Sequence, residues 1–172
     1  DPMYRIRGLP DELADVPHWT PECAADPELD AKWRAQWQTW SAIMASYRLA
    51  ILRKALSDPH KADEERQRCA KYPEYFVTMY AYIYEPRDQQ IVPEGWNPWI
   101  PFPHQIMMLH WIEQMMASVR PMGDGIIEKS RDMGATWVVC AYCAHQWLFA
   151  PTFSASLISY KEDMVDAALD PD

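Results

Sequence analysis

The sequence predicts an α/β fold, in which a helical N-terminal region is followed by the beginning of a parallel sheet that is not completed within the 172 residues. Three observations predict it. Aromatic and apolar residues recur at helical spacing between residues 30 and 84. Residues 85–103 contain five prolines, which exclude a continuous helix there. After residue 121, short β-like runs flank a strongly apolar helical segment, which is the order of a βαβ unit.

Residues 1–29 form an acidic, proline-rich segment that we expect to be an extended, weakly structured arm. It contains five prolines, and residues 1–30 carry eight acidic side chains against two arginines, a net charge of −6. The whole chain has a net charge of −9. Because phosphate binding requires clustered lysine and arginine, this balance argues against a free-standing DNA clamp. Apolar runs are short and no apolar signal segment opens the sequence, so we expect a soluble cytoplasmic protein.

Residues 30–84 predict three helices. Asp30 is expected to cap the first, which runs to about Leu56; the second covers Lys61 to Tyr72, and the third runs from Pro73 to Tyr84. The aromatic stripe of the first helix could stack on nucleic-acid bases, but packing between helices is the favoured interpretation. The stripe consists of Trp33, Trp37, Trp40, Met44, Tyr47 and Ile51.

Residues 85–103 are expected to be a linker that brings Trp96 and Trp99 against the rest of the protein, and residues 104–172 to begin a second domain. This second part predicts a helix, a strand, a loop, an apolar helix and another strand in turn. The corresponding ranges are His104–Ser118, Gly125–Glu128, Lys129–Ala135, Thr136–Phe149 and Ser156–Tyr160.

The four cysteines are expected to be reduced thiols, since no export signal accompanies them. Cys140 and Cys143 form a C-x-x-C pair, but no second pair is present to complete a zinc site. Their apolar surroundings favour two small core residues one helical turn apart.

The loop over residues 129–136 is a variant of the phosphate-binding pattern G-x-x-x-x-G-K-[ST]. Gly134 occupies the second glycine position and Thr136 the hydroxyl position that binds Mg²⁺. Ala135 replaces the usual lysine, and Lys129 replaces the first glycine. Since a curled loop brings its two ends near the same phosphates, Lys129 could supply the missing charge. The alternative is a lysine that ends a strand in solvent.

The segment Glu128–Trp137 closely resembles the deviant Walker A loop of large terminase subunits of tailed bacteriophages. Pro101–Gln105 resembles the glutamine motif of that family, and Ser156–Asp166 resembles the strand and turn after its P-loop helix. Tyr72–Tyr84 is similar to the family's helical N-terminal region. The resemblance covers about residues 70–172, and residues 1–60 carry no family signature.

The resemblance implies a P-loop ATPase domain and a set of site residues. Lys129 would replace the Walker lysine, Arg131 would stabilise the γ-phosphate, Gln105 would contact adenine, and Thr136 would bind Mg²⁺. The implied catalytic residues are therefore Lys129 and Arg131, and the implied ATP-binding residues are Gln105, Ser130, Met133, Gly134, Ala135 and Thr136.

The resemblance also implies a function. Large terminases are ATP-driven motors that package DNA into the capsid, carry a C-terminal nuclease, and form homo-oligomeric rings with a portal protein and a small terminase subunit in the host cytoplasm. No strand ending in the two acids that hold Mg²⁺ and orient water follows Thr136; Asp163, Asp166, Asp170 and Asp172 have a solvated context. We therefore expect an N-terminal fragment of the motor that does not hydrolyse ATP alone.

Two other function classes are open at this point. The chain could belong to another P-loop DNA motor, such as a helicase-like protein, which a different Walker B context and the lack of a nuclease would reveal. It could also be a short, non-enzymatic helical interaction protein with a decayed P-loop.

Overall fold

A computed structural model describes residues 2–84, 96–117, 125–129 and 133–156. The described part is mostly helical, and its strands form a single two-stranded antiparallel sheet. After a 3-10 turn at Pro2–Tyr4, the elements are α1 Asp11–Ala14, α2 Pro21–Ala25, α3 Pro27–Ser57, α4 Pro59–Lys71, α5 Pro73–Tyr80, β1 Tyr82–Tyr84, β2 Trp96–Pro98, α6 Pro103–Ala117 and α7 Ala135–Phe149.

Proline followed by helix-forming residues determines where the N-terminal helices begin. A proline lies in the first turn of α2, α3, α4 and α5, where its fixed φ suits the helix and its missing N–H is not needed. The cap of α3 is Asp26, whose side chain accepts from the N–H groups of Glu28 and Leu29. The predicted cap Asp30 is wrong: it lies in the first turn and binds Arg34 and Trp19 instead.

The expectation of a weakly structured N-terminal arm is wrong. Ile6 and Val16 are buried, and the backbone N–H of Ile6 donates to the Ala14 carbonyl at 2.9 Å, while that of Val16 donates to the Tyr4 carbonyl at 3.1 Å. These bonds fold residues 4–16 back on themselves. The segment is acidic overall, but its few apolar residues, such as Ile6 and Val16, pack in the core. This tertiary packing outweighs the local preference for extended chain.

The tryptophans of α3 contact the N-terminal residues and Phe102, as well as the core between helices that was predicted. Trp40 is buried and Trp33 and Trp37 are half-buried. The indole N–H of Trp40 donates to the Leu13 carbonyl, and that of Trp33 to the Pro17 carbonyl, each at 3.1 Å. The prediction of burial is therefore met by Trp40 and only partly by the other two.

Two groups of buried side chains form the core. The larger one joins the N-terminal segment to α3, α4, α5 and α6, around Met44, Tyr75 and Ile106. The smaller one joins α5, α6 and α7 around Leu109 and Val138. Residues from the predicted arm, helical region and second domain thus contribute to common clusters.

The predicted third helix ends at Tyr80, four residues early, and continues as β1. Ala81 has extended backbone, and the guanidinium Nη1 of the buried Arg48 donates to the carbonyls of Thr78 and Ala81 at 3.1 and 2.9 Å. These bonds satisfy carbonyls that a helix end leaves free. β1 pairs with β2 in the register Tyr82–Pro98, Ile83–Asn97 and Tyr84–Trp96.

The parallel sheet expected from the sequence is not present in the described residues. The predicted strand Gly125–Glu128 has no ladder partner there, and its residues are exposed, so its apolar side chains are not held against a core that would favour a strand. Of the second predicted strand, Ser156 is irregular and residues 157–160 lie outside the described part. None of the described helices is both long enough and apolar enough to cross a membrane.

Candidate nucleotide-binding site

The loop before α7 ends in a left-handed glycine. Gly134 has φ 71° and ψ 15° and directly precedes α7, and its carbonyl accepts from the N–H of Val138 at 3.1 Å. Few residues other than glycine adopt this conformation without strain. A Cβ added here would also lie 2.5 Å from Nε2 of Gln105. The geometry therefore requires glycine at the position that the sequence pattern singled out.

Gln105 fastens this loop to the start of α6. Its buried side-chain oxygen accepts from the indole N–H of Trp99 at 3.1 Å and from the backbone N–H of Phe102 at 3.0 Å. Its amide nitrogen donates to the Met133 carbonyl at 3.2 Å, and Nε2 of His104 donates to the same carbonyl at 3.2 Å. Gln105 is thus a positioning residue of the loop, and its predicted contact with adenine stays a prediction.

The described site residues predicted from sequence line one cavity of about 950 Å³. Lys129 and Thr136 are exposed, whereas Ala135 is buried as the first residue of α7. The predicted residues Ser130 and Arg131 lie outside the described part of the chain. The residues brought together at the cavity are Gln105, Lys129, Met133, Gly134, Ala135 and Thr136.

The N-terminal part of the chain supplies cavity residues that the sequence analysis missed. Tyr4, Trp19, Trp33 and Arg34 line the same cavity, although the resemblance assigns no function to this region. The helical spacing of Trp33 was visible but indicates only a buried face. No local pattern could place these side chains beside a loop that follows them by about a hundred positions.

The lining of the cavity carries positive charge, whereas the protein as a whole has a net charge of −9. Arg34 and Lys129 are cationic, and none of the described residues that line the cavity is acidic. The Nε of Arg34 binds Asp30 at 2.7 Å, so its charge is partly balanced from outside. Together with the N-terminal end of α7, these side chains favour an anionic ligand.

One carboxylate oxygen each of Glu74 and Glu113 and a ring nitrogen of His110 lie within 4.8 Å of one another, as the atoms of a metal site would. The guanidinium of Arg7 lies within this cluster: its Nε donates to Glu74 at 2.6 Å, and its Nη2 contacts both Glu74 and Glu113. The hydrogen bonds that Arg7 donates to the Glu74 carboxylate raise the pKa of Arg7, so this cation stays charged. His110 donates to the Arg5 carbonyl at 2.8 Å. The cluster therefore anchors the N-terminal segment and does not need a metal ion.

Cys69 of α4 and Cys140, Cys143 and His145 of α7 lie on helices that pack against each other, whereas Cys23 lies in α2. All four cysteines are free, as predicted, and burial raises the pKa of the Cys69 thiol to about 12. His145 is buried, its Nε2 donates to the Cys69 carbonyl at 2.8 Å, and its Nδ1 accepts from Gln146 at 3.0 Å. Burial lowers the pKa of His145, which keeps the ring neutral.

The chain was compared with protein-family models, with curated proteins and with solved structures, and no match was found. The case for a function therefore depends on the loop, on the cavity beside it and on the resemblance of the sequence around them. The acidic residues Asp163, Asp166, Asp170 and Asp172 lie outside the described part.

Proposed function

We propose that this chain binds ATP with Mg²⁺ in the cavity before α7, as the nucleotide-binding segment of a terminase-type DNA-packaging motor. The observation that carries the proposal is the convergence of Lys129, Gly134 and Thr136 on one cavity of about 950 Å³. Small-molecule sites generally have volumes of about 300–1,000 Å³. The cavity thus has room for a nucleotide and carries the groups that a triphosphate needs.

The start of α7 favours phosphate on two physical grounds. The first N–H groups of a helix have no intrahelical acceptor, and the helix dipole places partial positive charge at the same end. Gly134 keeps the backbone free of a side chain beside these groups. Lys129 would add a full positive charge, and the hydroxyl of Thr136, the second residue of α7, would bind Mg²⁺.

Hydrolysis requires more than these residues. A P-loop ATPase uses one carboxylate to hold Mg²⁺ and another group to orient the attacking water. The described lining of the cavity contains no carboxylate. We therefore propose that the 172-residue chain binds ATP without turnover. The catalytic acids, the nuclease and the contacts with double-stranded DNA, portal protein and small terminase subunit would belong to the whole motor, acting as a homo-oligomeric ring.

The decisive experiment is a calorimetric titration of the purified chain with ATP in the presence of Mg²⁺. We expect binding that is lost in Lys129→Ala and retained in Lys54→Ala, which removes an exposed lysine outside the cavity. A phosphate-release assay on the same samples should give no turnover. If the wild-type chain failed to bind ATP, the interaction-protein alternative would replace the proposal.

A further inference from the structure

Two aromatic rings from distant parts of the chain line the cavity. Trp33 of α3 and Phe102, just before α6, both line it. Trp37 stacks on both: its ring centroid lies 6.4 Å from that of Trp33 and 5.0 Å from that of Phe102, with interplanar angles of 19° and 20°. A third ring thus fixes the two rings of this aromatic wall relative to each other.

The aromatic wall is tied to the loop before α7. The Phe102 ring stacks on His104 with centroids 5.9 Å apart and planes inclined by 8°, and His104 donates to the Met133 carbonyl. At the other end, the indole N–H of Trp33 donates to the Pro17 carbonyl. The wall is therefore held in place before any ligand arrives, which lowers the entropic cost of binding.

The charges at the cavity decide which aromatic-binding ligand fits. An aromatic cage for a cation would be opposed by Arg34 and Lys129, because both carry the same sign as such a ligand. A ligand with an anionic group at one end and a flat ring at the other would be attracted by both kinds of side chain. A nucleotide has this chemistry, and bases stack well on aromatic side chains.

We infer that Trp33 and Phe102 form the base-binding wall of the nucleotide cavity, with Trp37 as the residue that positions them. The inference depends on the proposed binding of ATP and goes further, because it adds Trp33, from the region without a family signature, to the residues that contact the base. Under this assignment, α3 is part of the binding site as well as of the helical core.

The test compares ATP with inorganic tripolyphosphate, which has the phosphates but no base. Phe102 is 44% exposed, so Phe102→Leu should leave the fold intact. We expect this variant to bind Mg-ATP about 5- to 150-fold more weakly, the range that stacking contacts provide, with unchanged affinity for tripolyphosphate. Trp33→Leu should behave in the same way, and Trp33→Phe should restore ATP binding. Trp147→Leu, which removes an exposed ring outside the cavity, is the matched control.

The outcomes separate this inference from the proposed function. If the wild-type chain binds neither ligand, nucleotide binding itself is refuted. If it binds ATP but Phe102→Leu and Trp33→Leu keep its affinity, or weaken ATP and tripolyphosphate equally, the base-binding wall is refuted and ATP binding stands. Binding of an oligothymidylate that ATP does not displace would assign the aromatic wall to a nucleic-acid strand and overturn the inference.

Discussion

The side-chain amide of Gln105 occupies the space beside Gly134 that a β-carbon would need. A Cβ on Gly134 would lie 2.5 Å from Nε2 of Gln105, and the residue has a φ of 71°. The start of α7 and the start of α6 therefore contact each other through a residue that has to be glycine, both for its backbone conformation and for the space around it.

Replacement of Gly134 should destabilise the protein and also disturb the loop before α7. We expect Gly134→Ala to lower the free energy of unfolding by about 1–3 kcal/mol through backbone strain, with a further loss from the clash with the Gln105 amide. Urea denaturation measures the change. In a Gln105→Ala background the clash with the amide is gone, so the additional cost of Gly134→Ala should shrink to the backbone term. An unchanged denaturation midpoint for Gly134→Ala would contradict the described loop conformation.

Substitution of Gln105 separates its two hydrogen-bonding roles. Gln105→Ala leaves the buried indole N–H of Trp99 without its acceptor, so we expect a loss of about 1–3 kcal/mol in the free energy of unfolding. Gln105→Glu keeps that acceptor but loses the donor to the Met133 carbonyl. Because it places a carboxylate oxygen against that carbonyl at a buried position, it should displace the loop, weaken ATP binding and also lower the free energy of unfolding.

The control for these two variants is Gln38→Ala, which removes an exposed glutamine from α3. If Gln105→Ala left the ATP affinity of the full-length protein unchanged, both the predicted adenine contact and the positioning role of Gln105 would be refuted.

The three tryptophans of α3 should differ in their contributions to stability. Trp40 is buried, so Trp40→Ala should cost about 3–5 kcal/mol of unfolding free energy, as usual for loss of a core aromatic. Trp37 is half-buried and should cost less, although its place in the stripe predicted that it is largely buried between helices. Chemical denaturation measures both, with Trp147→Ala as an exposed control. Equal costs for Trp40→Ala and Trp147→Ala would show that the stripe is not part of the core.

The helices could be predicted from sequence because their signals are local. Prolines at helix starts and apolar stripes indicate α3, α4, α6 and α7 to within a few residues, since both depend on backbone geometry within the helix itself. The N-terminal segment could not be predicted in this way. Its structure depends on Ile6 and Val16 reaching a core formed by later helices, and on the ion pair of Arg7 with Glu74.

The site was predictable only where it is contiguous in sequence. Gly134 and Thr136 follow from a loop pattern, and Lys129 from its missing charge. The opposite wall of the cavity, with Trp33 and Arg34, depends on how α3 packs against the N-terminal segment and Phe102. Long-range packing of this kind leaves no mark in the local spacing of residues.

His145 should make the stability of the protein depend on pH. Burial lowers its pKa in the folded state, while the unfolded chain has the ordinary histidine value of about 6.5. As the pH falls through that value, the unfolded chain takes up a proton that the folded chain resists, so stability falls. Above it, both states are neutral and the contribution of His145 is complete.

The measurement is the free energy of unfolding from urea titrations between pH 8 and pH 5.5, compared between the wild type and His145→Phe. The variant should lose part of the decline seen on acidification, whereas His60→Gln, at an exposed position of α4, should retain it. Identical pH profiles for the wild type and His145→Phe would rule out a buried neutral ring as the cause.

The position of the cation at the loop distinguishes this site from an ordinary Walker A loop. Ala135 lies at the first position of α7 and lines the cavity with a methyl group that carries no charge, while Lys129 is exposed at the cavity. In the proposed packaging motor, of which this chain would be a segment, we expect Lys129→Ala to abolish ATP hydrolysis. Ala135→Lys should not be required for hydrolysis, because Lys129 already supplies the charge that the phosphates need.

Steady-state phosphate release by the proposed motor measures this prediction, with thermal unfolding as the check on folding. Lys129→Arg is the informative companion: it keeps the charge but replaces a flexible point charge by a planar fork, so partial activity is expected. If Lys129→Ala retained turnover, another cation would carry the phosphates. Arg34 lines the cavity and Arg131 belongs to the loop sequence, so single alanine substitutions at these two positions would identify the residue that does so.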